Sequence, residues 1–245
     1  MERTGLVAQR NMLVLGENLY PGRGIVTGMN DAGDHAVQVY WIMGRGSNSR
    51  NRVFDKVGGR VFTEAADPAK MENPSLIIYN AMDEATMGCG SRLFAVSNGE
   101  QTDKIVANGM GVLANYQYEP DTPNFTPRIS GAVIFCGCNQ EPPHFSLTIL
   151  RKSLWDEACE RHYYSYDKVG NGYGYCLTTY AGDGNPLPSF RGEPLLMPIT
   201  GDINAVADAY WNALNEQNRV SLAVKFIPVN GEPSSVHVKN KFSKV

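Results

Sequence analysis

Four short stretches of this chain carry side chains that a hydrophobic core does not need. Gly44-Arg45-Gly46-Ser47-Asn48-Ser49-Arg50-Asn51-Arg52 sets three arginines among small and amide residues. Guanidinium forks suit phosphate and other oxyanions, and small residues let backbone N–H groups approach them. Tyr79-Asn80 closes the apolar run after Asn73-Pro74 and presents a hydroxyl and an amide at a sheet edge. Val96-Ser97-Asn98-Gly99-Glu100-Gln101-Thr102-Asp103 reads as strand, turn and helix start, where free N–H groups can meet an anion. The densest stretch runs from Tyr116 to Arg128, with three prolines holding Glu119, Asp121, Asn124, Thr126 and Arg128 in an extended segment. Glu119 and Asp121 are two apart, so in an extended chain they face the same way. A carboxyl beside another carboxylate, or out of water, titrates closer to neutrality as a general acid or base. Each stretch also has a plainer reading: a solvated loop, strand-end packing, an ordinary capped helix, a proline-stiffened surface loop.

Other chemistries find little support. There is no His-Glu-x-x-His, no Gly-x-x-x-x-Gly-Lys phosphate loop and no Gly-x-Ser-x-Gly elbow. His35, His144, His162 and His237 are scattered, forming neither a metal cluster nor a triad by spacing. Cys136-Gly-Cys138 lacks a second pair, and five Cys is an odd number, which fits reduced thiols better than a disulfide framework. What remains is catalysis by carboxylate, amide, phenol and arginine, with no metal and no cofactor.

The elements that must position these groups are mostly strands. Alternation and β-branched content predict strands at Gly24–Gly28, Ala36–Met43, Ser75–Asn80, Arg92–Ser97, Ile129–Phe135, Phe145–Arg151, His162–Lys168, Tyr173–Tyr180 and Val220–Val229. Turn pairs such as Gly58-Gly59, Asn98-Gly99 and Asn230-Gly231 separate several of them. One helix is strongly written: Ile203, Val206, Ala207, Tyr210, Trp211 and Leu214 share a face behind an Asp202 cap. A second is predicted after Asn98-Gly99, starting near Thr102 or Asp103 with Ile105, Val106 and Met110 inward, and a short third over Leu154–Arg161. Many strands with a few amphipathic helices imply an α+β body of two stacked sheets with helices outside.

The 245 residues carry 22 Lys or Arg against 25 Asp or Glu, a formal charge of −3 that argues against nucleic-acid and anionic-membrane partners. Hydrophobic residues make up 42% of the chain, enough for a large core. No stretch approaches the roughly 18 apolar residues of a membrane span, nor does the N-terminus read as a signal peptide, so a cytoplasmic protein is expected. No repeat or linker forces a split of residues 1–245 into domains. Tyr210 and Trp211 can bury in the core or at a subunit contact, which leaves a homo-oligomer open.

Taken in order, the stretches resemble the archaeal-type inosine monophosphate cyclohydrolases. The matching pieces are Tyr20-Pro-Gly-Arg-Gly24, Tyr40 with Arg45 and Asn51-Arg52, Asn73-Pro74 with Tyr79-Asn80, Val96-Ser-Asn-Gly99 with Thr102-Asp103, Tyr118-Glu119 with Asp121, Asn124 and Thr126-Pro127-Arg128, then Thr178-Thr179-Tyr180 with Pro188-Ser-Phe-Arg-Gly-Glu193. The chain departs from that pattern in extra N-terminal residues, a longer arginine loop and a helix–strand extension over residues 194–245.

This resemblance implies a four-layer αββα sandwich like that of the N-terminal-nucleophile hydrolases. The start Met1-Glu2-Arg3 offers no terminal nucleophile, so the fold would lack its usual chemistry. It also implies a purine ribonucleotide substrate and dehydrative closure of the formamidoimidazole-carboxamide ribonucleotide to inosine monophosphate. By resemblance Tyr79, Glu119, Asp121 and Arg52 are catalytic; Arg45, Arg50, Asn51, Asn80, Asn98, Thr102, Asn124 and Arg128 bind substrate. The loop's length leaves open whether Arg50 or Arg52 faces inward. Two alternatives stand beside this one: an amide or nucleotide hydrolase of the N-terminal-nucleophile kind, and a non-catalytic purine-nucleotide-binding protein.

Overall fold

The computed structural model describes residues 2–71, 74, 78–137 and 142–244. Its elements are α1 (Glu2–Glu17), β1 (Gly24–Met29), β2 (His35–Met43), α2 (Ser47–Arg50), β3 (Val53–Val57), β4 (Arg60–Glu64), β5 (Asn80–Thr86), β6 (Arg92–Ser97), α3 (Gln101–Asn108), β7 (Arg128–Phe135), β8 (His144–Lys152), β9 (Cys159–Tyr166), β10 (Tyr173–Thr178), β11 (Leu195–Pro198), α4 (Ile203–Ala213), β12 (Arg219–Pro228) and β13 (Ser235–Asn240). No helix among the described residues is long and apolar enough to cross a membrane.

The strands form two antiparallel sheets. One has the order β11-β10-β1-β2-β12-β13 and the other β3-β4-β5-β6-β7-β8-β9. Strands β1 and β2 are buried along nearly their whole length, because they are covered on both faces. Alternate residues of the first sheet, Val26, Val39, Trp41 and Leu222, pack with Leu15 of α1 and with Val206 and Tyr210 of α4. Their neighbours Ile25, Tyr40, Ile42 and Ala223 turn the other way, onto Val96, Ile129 and Leu147 of the second sheet. On that sheet's outer face, Leu93, Ala95 and Ala132 meet Ile105 of α3. The sheets approach closely where Gly131 faces β1, since a Cβ there would come within 2.9 Å of the Thr27 methyl.

The helix α4 starts as its pattern predicts, with Asp202 accepting the Ala205 N–H at 2.8 Å. Tyr210 is fully buried against Trp41, which places it in the core rather than at a subunit contact. The predicted helix over Leu154–Arg161 does not form. Residues 153–158 make a tight turn closed by Ser153 N–H to Ala158 O, and β9 begins at Cys159. Of the predicted strand Ser75–Asn80, Ser75, Leu76 and Ile77 lie outside the described residues, as do Asn73 and Cys138; Ile78 and Tyr79 are not in a strand, and β5 begins at Asn80.

Helix α1 and strands β3, β4, β11 and β13 carry no clear sequence signal. Among the described side chains of α1 only Ala8 and Leu15 are buried, too narrow a stripe to stand out beside exposed Leu6 and Leu13. The segment from residue 194 onward is woven into the first sheet, with β12 between β2 and β13.

Candidate active site

Because neighbouring strands alternate in direction, the starts of β1, β3, β5 and β7 and the ends of β2 and β10 gather at one edge of the sandwich. A cavity of about 390 Å³ opens there, lined by Tyr20, Arg23, Met43, Arg45, the backbone turn 46–49, Arg52, Glu119, Asp121, Asn124, Thr126, Tyr180 and Leu187. A larger cavity of about 730 Å³ lies at the opposite end, around Met29, Phe135 and Phe145. No acid or phenol is among its described lining residues, and none of the predicted site residues reaches it.

Two arginines form the floor. Arg23 stands between Gly22 and Gly24, directly before β1, and its Nη2 lies 3.8 Å from the Glu119 carboxylate. Burial opposes the Arg23 charge, but Glu119 and the neighbouring phenols Tyr79, Tyr180 and Tyr40 outweigh it and hold the group above its ordinary pKa. Arg52, directly before β3, is 5% exposed. Its Nε and Nη1 have no hydrogen-bond partner, and it is the charged side chain among the described residues with such orphaned atoms. Burial first, and Arg23 second, push its pKa down. An arginine does not give up its proton under ordinary conditions, so the site stores an uncompensated positive charge.

Glycine makes this arrangement possible. Gly22 has φ +74°, and a Cβ there would come within 2.2 Å of Thr179 Oγ1; at Gly24 it would fall 1.9 Å from the Trp41 ring.

Behind the arginines, the Tyr40 and Tyr79 hydroxyls share a hydrogen bond of 2.7 Å. Tyr79 is held by its backbone: its N–H donates to Thr63 Oγ1 and its carbonyl accepts the Thr63 N–H, both at 3.0 Å. Burial places the Tyr40 hydroxyl well above the usual phenol range and pushes Tyr180 up to about 12.

The two carboxylates that the sequence pairs do not act as a pair. Glu119 faces Arg23, whereas Asp121 accepts the Thr126 N–H and the Thr126 hydroxyl, which also meets Tyr180. Asp121 thus folds the 119–127 loop back on itself, with Phe125 held at φ 45°.

The remaining predicted residues divide between cavity and scaffold. Asn124 lines the cavity and accepts the Leu187 N–H at 3.1 Å, tying its loop to the one after β10. Arg45 sits at the mouth, stacked over Tyr20 at 4.8 Å and ion-paired with Asp183. Arg50 turns away: its Nε donates to Gly44 O at 3.0 Å and Nη2 reaches Asn218. Asn51 braces the backbone of Asp67, and Asn80 donates to Asp103. Asn98 is buried, donating to Pro127 O and accepting the Ile129 N–H. Thr102 bonds Ser97 and Gly99 O, and Arg128 bonds Gln101. These five residues and Arg50 therefore hold the walls rather than line the cavity. Arg23, Tyr20, Thr126 and Tyr180 are lining residues without an assigned role in the sequence reading, although all four lie in the stretches that carry the resemblance. An arginine between two glycines was the available signal for Arg23.

Net charge at the floor is positive, with two guanidiniums against one carboxylate. The charge of such a site suits an anion, and a carboxylate at Glu119 is a candidate to take a proton from a group bound beside it. A family model described as IMP cyclohydrolase-like protein matches residues 20–231. That span includes every residue lining the cavity. No curated protein matches the chain.

Proposed function

Since the chain belongs to the IMP cyclohydrolase-like family, we propose that it catalyses dehydrative closure of the formamidoimidazole-carboxamide ribonucleotide to inosine monophosphate. The observation that carries this reading is the Arg52 guanidinium, buried with Nε and Nη1 unpartnered beside the Arg23–Glu119 pair. A phosphate or a developing oxyanion supplies the missing partner.

In the reaction the carboxamide nitrogen attacks the formyl carbon and loses a proton; the carbinolamine oxygen then gains a proton and leaves as water. Both reacting groups sit on one molecule, so the enzyme's tasks are to hold them in plane, accept one proton and stabilise charge on the formyl oxygen. Glu119 is the base toward the carboxamide. Arg52 and Arg23 face the developing oxyanion, with the Tyr79–Tyr40 pair behind them as a proton source. Arg45, at the mouth near the turn 46–49, meets the 5′-phosphate, and Asn124 meets the ribose. Asp121 shapes the loop that carries Glu119. The likeness to the N-terminal-nucleophile hydrolase fold belongs to the same reading, supported by two stacked antiparallel sheets with helices on their outer faces.

The test is an absorbance assay of ring closure with the purified chain and the formyl precursor. Turnover that vanishes in Arg52→Ala supports the proposal. Tight binding of inosine monophosphate with no turnover of the precursor overturns it in favour of a nucleotide-binding protein.

A further inference from the structure

Three tryptophans meet three different fates in this fold. Trp41 is fully buried, Trp211 is partly covered by Arg219, and Trp155 is 91% exposed at the tip of the β8–β9 turn. Beside it Leu154 is 70% exposed. This tip is not a loose loop. Trp155 N–H donates to Ser153 Oγ at 3.1 Å, Ala158 N–H to Asp156 Oδ1 at 2.9 Å, and the Tyr118 hydroxyl seats it through Glu157 O at 2.7 Å. An indole presented to water on a backbone tied down in this way is unfavourable, and a fixed backbone loses little entropy on binding.

The same face carries a hole. A cavity of about 200 Å³ lies between α1 and the β10–β11 edge, lined by Val14, Leu15, Cys176, Phe190, Leu195 and Met197. An apolar cavity of roughly 150 Å³ accepts a benzene ring, so this one has room for an indole. Exposed Leu13 and Leu19 border it along the chain. The hole and the tip share a residue: Arg191 stands on the rim, and its Nη2 donates to the carbonyl of Lys152 at the base of the tip.

We propose that two copies of this chain pair through a reciprocal contact, Leu154 and Trp155 of each copy entering the apolar cavity beside α1 of the other. Charge agrees with shape. The tip bears Asp156 and Glu157, while the rim bears Arg191, which shares the carboxylate of Glu160 with the buried Arg151. Because knob and hole lie side by side on one face, a two-fold axis between them satisfies both contacts at once and closes the assembly at two copies. Each insertion removes roughly 200 Å² of aromatic surface. Two insertions with Leu154, Leu13 and Leu19 then approach the about 1,000 Å² that a specific interface needs.

Sedimentation velocity on the full chain, with acrylamide quenching of its tryptophans, tests this. The wild type should be a dimer in which Trp155 is shielded, identified as the quenching difference from Trp155→Ala. That variant alters only an exposed side chain, so it should fold normally and sediment as a monomer. Val14→Glu, at the mouth of the hole, should also be a monomer. Mixing the two variants should restore a weaker dimer, because one knob and one hole survive in the mixed pair. A monomeric wild type, a Trp155→Ala dimer as tight as wild type, a wild-type oligomer with Trp155 open to acrylamide, or no association in the mixture would each overturn the proposal.

Discussion

With Nε and Nη1 unpartnered inside the protein, the Arg52 guanidinium opposes folding until an anion meets it. Arg52→Met should therefore raise the stability of the ligand-free chain, on the order of 1 kcal/mol, while abolishing ring closure. Urea denaturation beside the absorbance assay reads both effects; a stability loss would mean that the charge is compensated after all. Arg50→Met is the contrast, because its guanidinium bonds Gly44 O and Asn218 outside the cavity, so closure should survive. At the acid–base groups, Glu119→Gln and Tyr79→Phe should each lower the closure rate by about 10²–10⁴-fold, with folding unchanged by circular dichroism. Near-normal rates in both would reject the assignment. Asp121→Asn should instead act on the loop that it ties to Thr126, changing thermal stability along with rate.

Among the elements, the Tyr20–Gly24 approach to β1 sets where Arg23 points. Gly22→Ala puts a methyl 2.2 Å from Thr179 Oγ1 and 2.5 Å from the Tyr180 ring, in a left-handed conformation. The displaced Arg23 should cost up to about 10²-fold in closure, as misplacements of an ångström can. Gly58→Ala is the control. It also sits at positive φ, in the β3–β4 turn, but a Cβ there meets nothing within 4 Å. It should lower stability by about 1 kcal/mol and leave the rate alone. Local chemistry made this turn visible in the sequence through Gly58-Gly59, yet the short strands on either side were not. Their residues are half exposed and become strands by pairing with partners distant in the chain.

At the scale of the whole molecule, a partly buried ion pair joins a strand of one sheet to a strand of the other. Lys225 of β12 is fully buried and donates to Glu84 of β5 at 2.8 Å, while Glu84 also accepts from Ser234 and stays partly open to water. Burial lowers the Lys225 pKa, and Lys225 overcomes the burial of Glu84 to hold its carboxyl below the usual range. A depressed carboxyl stabilises the fold above its unfolded pKa, and that stability is lost as pH falls through the folded value. Glu84→Gln should thus destabilise the chain by up to about 3 kcal/mol, reduced by the exposure of Glu84, because Lys225 is left alone in the core. Lys225→Met should be close to neutral. Equal losses in urea unfolding would contradict this. The sequence by itself determined the strand-rich α+β class, the Asp202-capped helix and the stretches from which the cavity is built, since periodicity, caps and glycine turns act over a few residues. Only the tertiary structure decided that Arg52 rather than Arg50 turns inward, that Arg23 pairs with Glu119, and that Asp121, Asn98 and Thr102 serve the scaffold. Those outcomes depend on which strand ends the antiparallel order brings to one edge, and on which polar groups then find partners out of water.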